Sequence, residues 1–135
     1  MLDSGSQLNF VTKKLIKKLG LNRHTVNMRV SGIGGQSSIR AQKRTILKIK
    51  SITSGYSTEI KTFILDNITN DQPTQNILVD QLPIPKDIVL ADSTFNIPSK
   101  IDLLIGAELF FGWLDKLVWV HHYQLYKIHC SVGLS

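Results

Sequence analysis

Leu2-Asp3-Ser4-Gly5-Ser6 and, about a hundred positions later, Ile101-Asp102-Leu103-Leu104-Ile105-Gly106 are the two stretches whose joint reading decides the fold. An aspartate followed by a small residue and then a glycine describes a carboxylate at the tip of a tight turn, with main-chain N–H groups aimed at it. A glycine closing an apolar run describes a strand that passes beneath another stretch of main chain, since only a residue without a side chain lets two backbones come so close. Asp-Ser-Gly by itself also occurs in ordinary turns. The ordered pair is the stronger signal, and the tripeptide occurs once in the chain.

Further blocks extend the pattern outward. Leu2 to Gln7 is followed by Asn9-Phe10-Val11, a short basic segment ending Lys18-Leu19-Gly20-Leu21, Val30-Ser31-Gly32-Ile33-Gly34-Gly35, Leu90-Ala91-Asp92, and Ile101 to Glu108. In this order the blocks resemble the retropepsin-like aspartic protease of BEL/Pao-type retrotransposons, from residue 2 to about residue 114. Two positions depart from that pattern: Glu108 stands where the family usually has Asp, and Lys127 to Gly133 replaces a usual Thr-x-x-Gly-Trp block.

The resemblance implies a mainly β, acid-protease half-barrel with a flap hairpin and two short helices. It implies catalytic roles for Asp3, Ser4 and Gly5, a substrate-covering flap at Gly32, Ile33, Gly34 and Gly35, and active-site packing by Leu104, Ile105 and Gly106. The substrate would be a polypeptide, the retroelement polyprotein, and neither a cofactor nor a metal is expected. A chain of 135 residues, 42% of them hydrophobic, has room for one core and not for two lobes each with an Asp loop. The second carboxylate then comes from another copy across a twofold axis, which makes the expected enzyme a homodimer. Two carboxylates sharing one water also share one proton, so that one acts as base and the other as acid.

The expected organisation is one domain over residues 1–135, with 116–135 as a diverged carboxy-terminal segment. Only Met1 and Leu2 precede Asp3, where the family has about two strands, so the domain is expected to be truncated there. A catalytically inactive remnant, or a binding module keeping the same fold, is the alternative of a different class. No apolar run approaches the roughly eighteen residues of a membrane span, no signal-peptide core opens the chain, and Cys130 has no second cysteine to pair with. An intracellular, cytoplasmic setting is the corresponding expectation.

Charge is uneven. Residues 4 to 58 contain eleven Lys and Arg and no acid, whereas 59 to 135 contain nine acids and five bases, so the net +6 arises in the first half. Such a half can follow a nucleic-acid backbone. The plainer reading is a solvated face, because Lys13, Lys14, Lys17 and Lys18 fall opposite Val11, Leu15, Ile16 and Leu19 on a helix, and no aromatic residues interleave with them.

The remaining periodicity predicts a helix over 11–19 ended by Gly20, extended arms around the glycine-rich 32–35 tip, and a strand in which Leu47 and Ile49 oppose Lys48 and Lys50. A turn at Ser54-Gly55, a strand over 59–65, a loop-rich stretch over 66–85, short buried strands at 88–91 and 101–105, and a helix over 107–114 complete it. Gly32-x-Gly34 is not a dinucleotide loop, since residue 37 is Ser and strand residues follow. His121, His122, His129 and Cys130 have no common zinc spacing, and neighbours in a strand point to opposite faces. Trp113 and Trp119 are assigned to core or interface.

Overall fold

Alternation in Leu47-Lys48-Ile49-Lys50 dictates a strand with one dry and one wet side, and this strand is the longest of those described. In a computed structural model, which describes residues 1, 3, 5–31, 38–51, 56–84, 92–109 and 128–129, Leu47 and Ile49 are buried while Lys48 and Lys50 are exposed. The strand is β3 (Ile39–Ser51), paired antiparallel with β2 (His24–Val30) and β4 (Ser57–Leu65). The sheet continues from β4 to β1 (Phe10–Thr12), which runs parallel to it, and then to β5 (Leu103–Leu104), antiparallel to β1. A further short strand, β6 (Ile128–His129), pairs with the end of β3. The protein is mainly β, with the described strands in one mixed sheet of order β2-β3-β4-β1-β5 and β6 set on β3.

The first helix is shorter than its periodicity predicts. It spans Lys13–Leu19, here α1, and the two residues before it belong to β1. Val11 and Thr12 are β-branched and favour the pleated conformation, and pairing with Ile64 on one side and Leu103 on the other fixes Val11 in the sheet. Thr12 then ends the strand and starts the helix: its Oγ1 accepts the Leu15 N–H at 3.2 Å, satisfying one orphan donor of the first turn. Gly20 ends the helix in the left-handed conformation, φ 65°, where its N–H reaches the Ile16 and Lys17 carbonyls. Lys17 and Lys18 in the last turn complement the helix dipole.

β1 is buried on both faces. Val11 joins Ile16, Leu47, Ile49, Ile60, Ile64 and Ile105 in a core cluster flanked by Leu15 and Leu19 of α1. Its neighbour Phe10 points the other way, to Val30, Ala41, Leu65, Ile68 and Leu104. Covered on both sides, the strand carries no polar alternation, as expected for a parallel pair in a core.

The stretch after β4 is loop in composition, yet the described parts of it are pinned. Ile68 is fully buried, Gln72 and Ser99 exchange N–H to O bonds of 2.9 and 3.0 Å, and the Ile77 N–H donates to the Asn96 carbonyl at 3.0 Å. A short 3-10 helix at Val79–Gln81, which periodicity does not predict, lies within it. Helix begins again at residues 107–109, as expected. The strand predicted over 88–91 and the rest of the second helix lie outside the described residues. Among the described residues no helix is long and apolar enough to cross a membrane.

Gly20→Ala isolates the backbone term of the α1 terminus, because an added Cβ there meets nothing within 4 Å while φ stays at 65°. The expected outcome is a loss of about 1–2 kcal/mol, read as a lower urea midpoint at unchanged slope.

Candidate active site

Asp3 is held from three directions by main chain. Its N–H donates to the Ile105 carbonyl at 2.9 Å, and its carbonyl accepts the Ser6 N–H at 3.3 Å, closing a four-residue turn over Asp3 to Ser6. Within that turn the Gly5 N–H donates to the Asp3 carboxylate through Oδ1 at 2.9 Å. A main-chain donor fixes the direction of one carboxylate oxygen. The side chain is half-buried.

The segment from Leu103 to Ala107 runs along the same loop. The Met1 amino group donates to the Leu103 carbonyl at 3.0 Å, the Ile105 N–H to the Met1 carbonyl at 2.9 Å, and the Ala107 N–H to the Ser6 carbonyl at 2.7 Å. The stagger of the first two bonds with the Asp3 to Ile105 bond is that of a parallel pair. β5 therefore lies between β1 on one side and the segment leading to Asp3 on the other.

Gly106 sits at the crossing. A Cβ built on it would lie 2.6 Å from the Ser6 carbonyl oxygen and 2.7 Å from that of Leu8, distances that no real side chain occupies. The glycine is required by contact with backbone, which cannot swing aside. Gly5 is a milder case, since its Cβ would meet Asp3 Oδ1 at 3.3 Å, tight enough to nudge the carboxylate.

Two polar residues that the sequence reading gave no role hold the crossing together. Asn9, 7% exposed, accepts the Gly106 N–H at 2.8 Å through Oδ1 and donates through Nδ2 to the Lys61 carbonyl of β4 at 3.1 Å. Its own carbonyl accepts the Phe63 N–H at 2.9 Å. One side chain thus ties the glycine under the Asp loop to the central sheet. Thr12 does the same one turn further along: its N–H reaches the Asp102 carbonyl at 2.9 Å and its Oγ1 donates to Asp102 Oδ1 at 2.6 Å. Asp102 is accordingly a structural acceptor. The available signal was an uncharged polar residue at either end of the apolar pair Phe10-Val11, a position where burial forces it to find partners.

Of the residues the sequence reading singled out, Asp3, Gly5, Leu104, Ile105 and Gly106 come together at this crossing, with Leu104 and Ile105 buried in opposite core clusters. Ser4 and the segment Gly32, Ile33, Gly34 and Gly35 lie outside the described residues, as do His121, His122 and Cys130. β2 and β3 pair up to Val30 and Ile39, the residues nearest that segment in the ladder. Among the described residues no three His, Cys, Asp or Glu side chains gather as metal ligands would. Chemically the loop offers one oriented, partly exposed carboxylate, able to take a proton from water or pass one on.

No family model, curated protein or solved structure matches the chain.

Asn9→Ala strands the buried Gly106 N–H and the Lys61 carbonyl, so it is expected to cost about 1–3 kcal/mol for each group left unpaired, with faster hydrogen exchange at the Gly106 amide. Gly106→Ala is expected to cost at least the roughly 1–3 kcal/mol of overpacking and to reduce the yield of folded protein. Gly5→Ala should melt close to wild type. Thermal melting of the three side by side checks the order.

Proposed function

We propose that this chain is an aspartic endopeptidase domain of the retropepsin-like kind, similar to those of BEL/Pao-type retrotransposons, and that it acts on a polypeptide as a homodimer. The observation that carries the reading is the Asp3 turn itself: a carboxylate oxygen accepting the Gly5 N–H at 2.9 Å, in a loop crossed at backbone distance by Gly106. A carboxylate oriented by main chain over a rigid crossing is what water activation between two aspartates needs. The open mixed sheet, with α1 against one side, is compatible with half of an acid-protease barrel.

In this mechanism two Asp3 carboxylates, one per protomer, face one water and share one proton. The ionised carboxylate removes a proton from the water as its oxygen bonds to the scissile carbonyl carbon. The protonated one donates to the carbonyl oxygen, giving a neutral tetrahedral diol. Collapse breaks the C–N bond, with a proton passed to the leaving amine, and returns the pair to its singly protonated state. Ser4 would bind the opposite loop, and Gly32 to Gly35 would close over the peptide; both roles rest on the resemblance alone.

Asp3→Asn tests it, because the amide keeps an oxygen for the Gly5 N–H and loses the ionisable group. Expected are an intact fold, an unchanged dimer in sedimentation, and peptide cleavage lower by several orders of magnitude. The wild-type rate should follow a bell-shaped pH curve centred below neutral, since only the singly protonated pair is competent. Cleavage by a strict monomer, or a rate unaffected by Asp3→Asn, sinks the mechanism. A folded dimer that cleaves nothing from a peptide library would instead leave the binding-module reading.

A further inference from the structure

We infer that the outward side of β3, with its neighbours on β2 and β4, is a binding surface for the phosphate backbone of single-stranded nucleic acid. Periodicity alone places most readily the lysines of the helix, Lys13, Lys14, Lys17 and Lys18. Register moves the weight elsewhere. Arg40, Arg44, Lys48 and Lys50 are exposed at even positions along β3, a row that turns with the strand between Ala41, which packs with Phe10, and Leu47, which packs with Val11; Arg29 of β2 is directly opposite Arg40 and Lys61 of β4 directly opposite Ile46 between Arg44 and Lys48. His24 lies opposite Arg44. Glu59, opposite Lys48, is the one acid on the three strands, and none of the six Lys and Arg side chains has an acid within ion-pair distance among the described residues.

Like charges directly opposite one another destabilise a sheet. A stripe that keeps Arg29 against Arg40 without a neutralising partner among the described residues is suited to a ligand that supplies the countercharge. From Arg40 to Lys50 the row is about 33 Å long, twisted with the strand. A polyphosphate matches it in sign and in linear charge, and gains further from the counterions released on contact. The surface is three strands wide, whereas a duplex groove admits a helix or a two-stranded ribbon, so a flexible single strand fits it better than a double helix. Among the described residues only the half-buried Phe63 is aromatic on this side, while Ile46, 52% exposed, offers an apolar spot. Recognition is therefore through phosphates and independent of base sequence.

The test is anisotropy of a fluorescein-labelled oligouridine of roughly 20 nucleotides, titrated with the full chain at several NaCl concentrations. Expected is a Kd on the order of 10⁻⁶ to 10⁻⁴ M near physiological salt, with log K falling against log salt at a slope of roughly −4 for six contacts. Arg40→Gln/Arg44→Gln/Lys48→Gln should reduce that slope by about 2 and weaken binding at least about tenfold at low salt, while its melting temperature holds or rises. Lys48→Gln/Lys50→Gln, remote from the Arg29 pair, should act in the same direction. Lys14→Gln/Lys17→Gln/Lys18→Gln removes as much charge from α1, which packs on the opposite side of the sheet, and should leave both quantities unchanged. The inference is overturned by absence of salt-dependent binding, by equal loss in the α1 variant, or by equal affinity for a duplex or for polyglutamate. None of these outcomes bears on peptide cleavage.

Discussion

The approach of Gly106 to the Ser6 and Leu8 carbonyls is the constraint on which the rest depends. Two main chains can cross at that distance only if one has no side chain and if its N–H finds an acceptor inside the crossing. Asn9 provides that acceptor, and its amide nitrogen reaches across to the Lys61 carbonyl. The Asp3 turn inherits its position from this arrangement, being bonded to Ile105 before the glycine and, through Ser6, to Ala107 after it. A carboxylate on a free loop would sample many orientations. Here its turn is braced on both sides of the crossing.

The sheet supplies the rigidity behind the crossing. β1 lies between β4 and β5 and is covered on both faces, by the α1 cluster around Val11 and by the Phe10 cluster that reaches Val30 and Ala41. Displacing the Asp3 turn would disturb either Leu104 in one cluster or Ile105 in the other. Thr12 extends the same economy of parts, ending a strand, capping a helix and holding Asp102 with one side chain. Meanwhile the outward side of β3 is left to cations, which separates the chain into a braced carboxylate site and a basic surface that share the central sheet.

Local signals in the sequence were sufficient for some of this. Asp3-Ser4-Gly5 and the distant Gly106 announced a turn and a close backbone approach because those residue types tolerate little else. Alternation at Leu47 to Lys50 announced β3 because a strand turns successive side chains to opposite faces. Gly20 announced the helix end because α1 needed a left-handed residue there. What remained hidden was whatever depended on a partner far along the chain: the loss of Val11 and Thr12 from the helix to β1, the role of Asn9 ninety-seven positions from Gly106, and the pairing of Arg29 with Arg40. An uncharged polar residue shows its composition in the sequence but not its acceptor. Sequence alone determined which residues could make a tight carboxylate turn and a side-chain-free crossing; tertiary structure decided that they meet, because hydrogen bonds and backbone contacts of that range exist only once the sheet has brought the two distant stretches together.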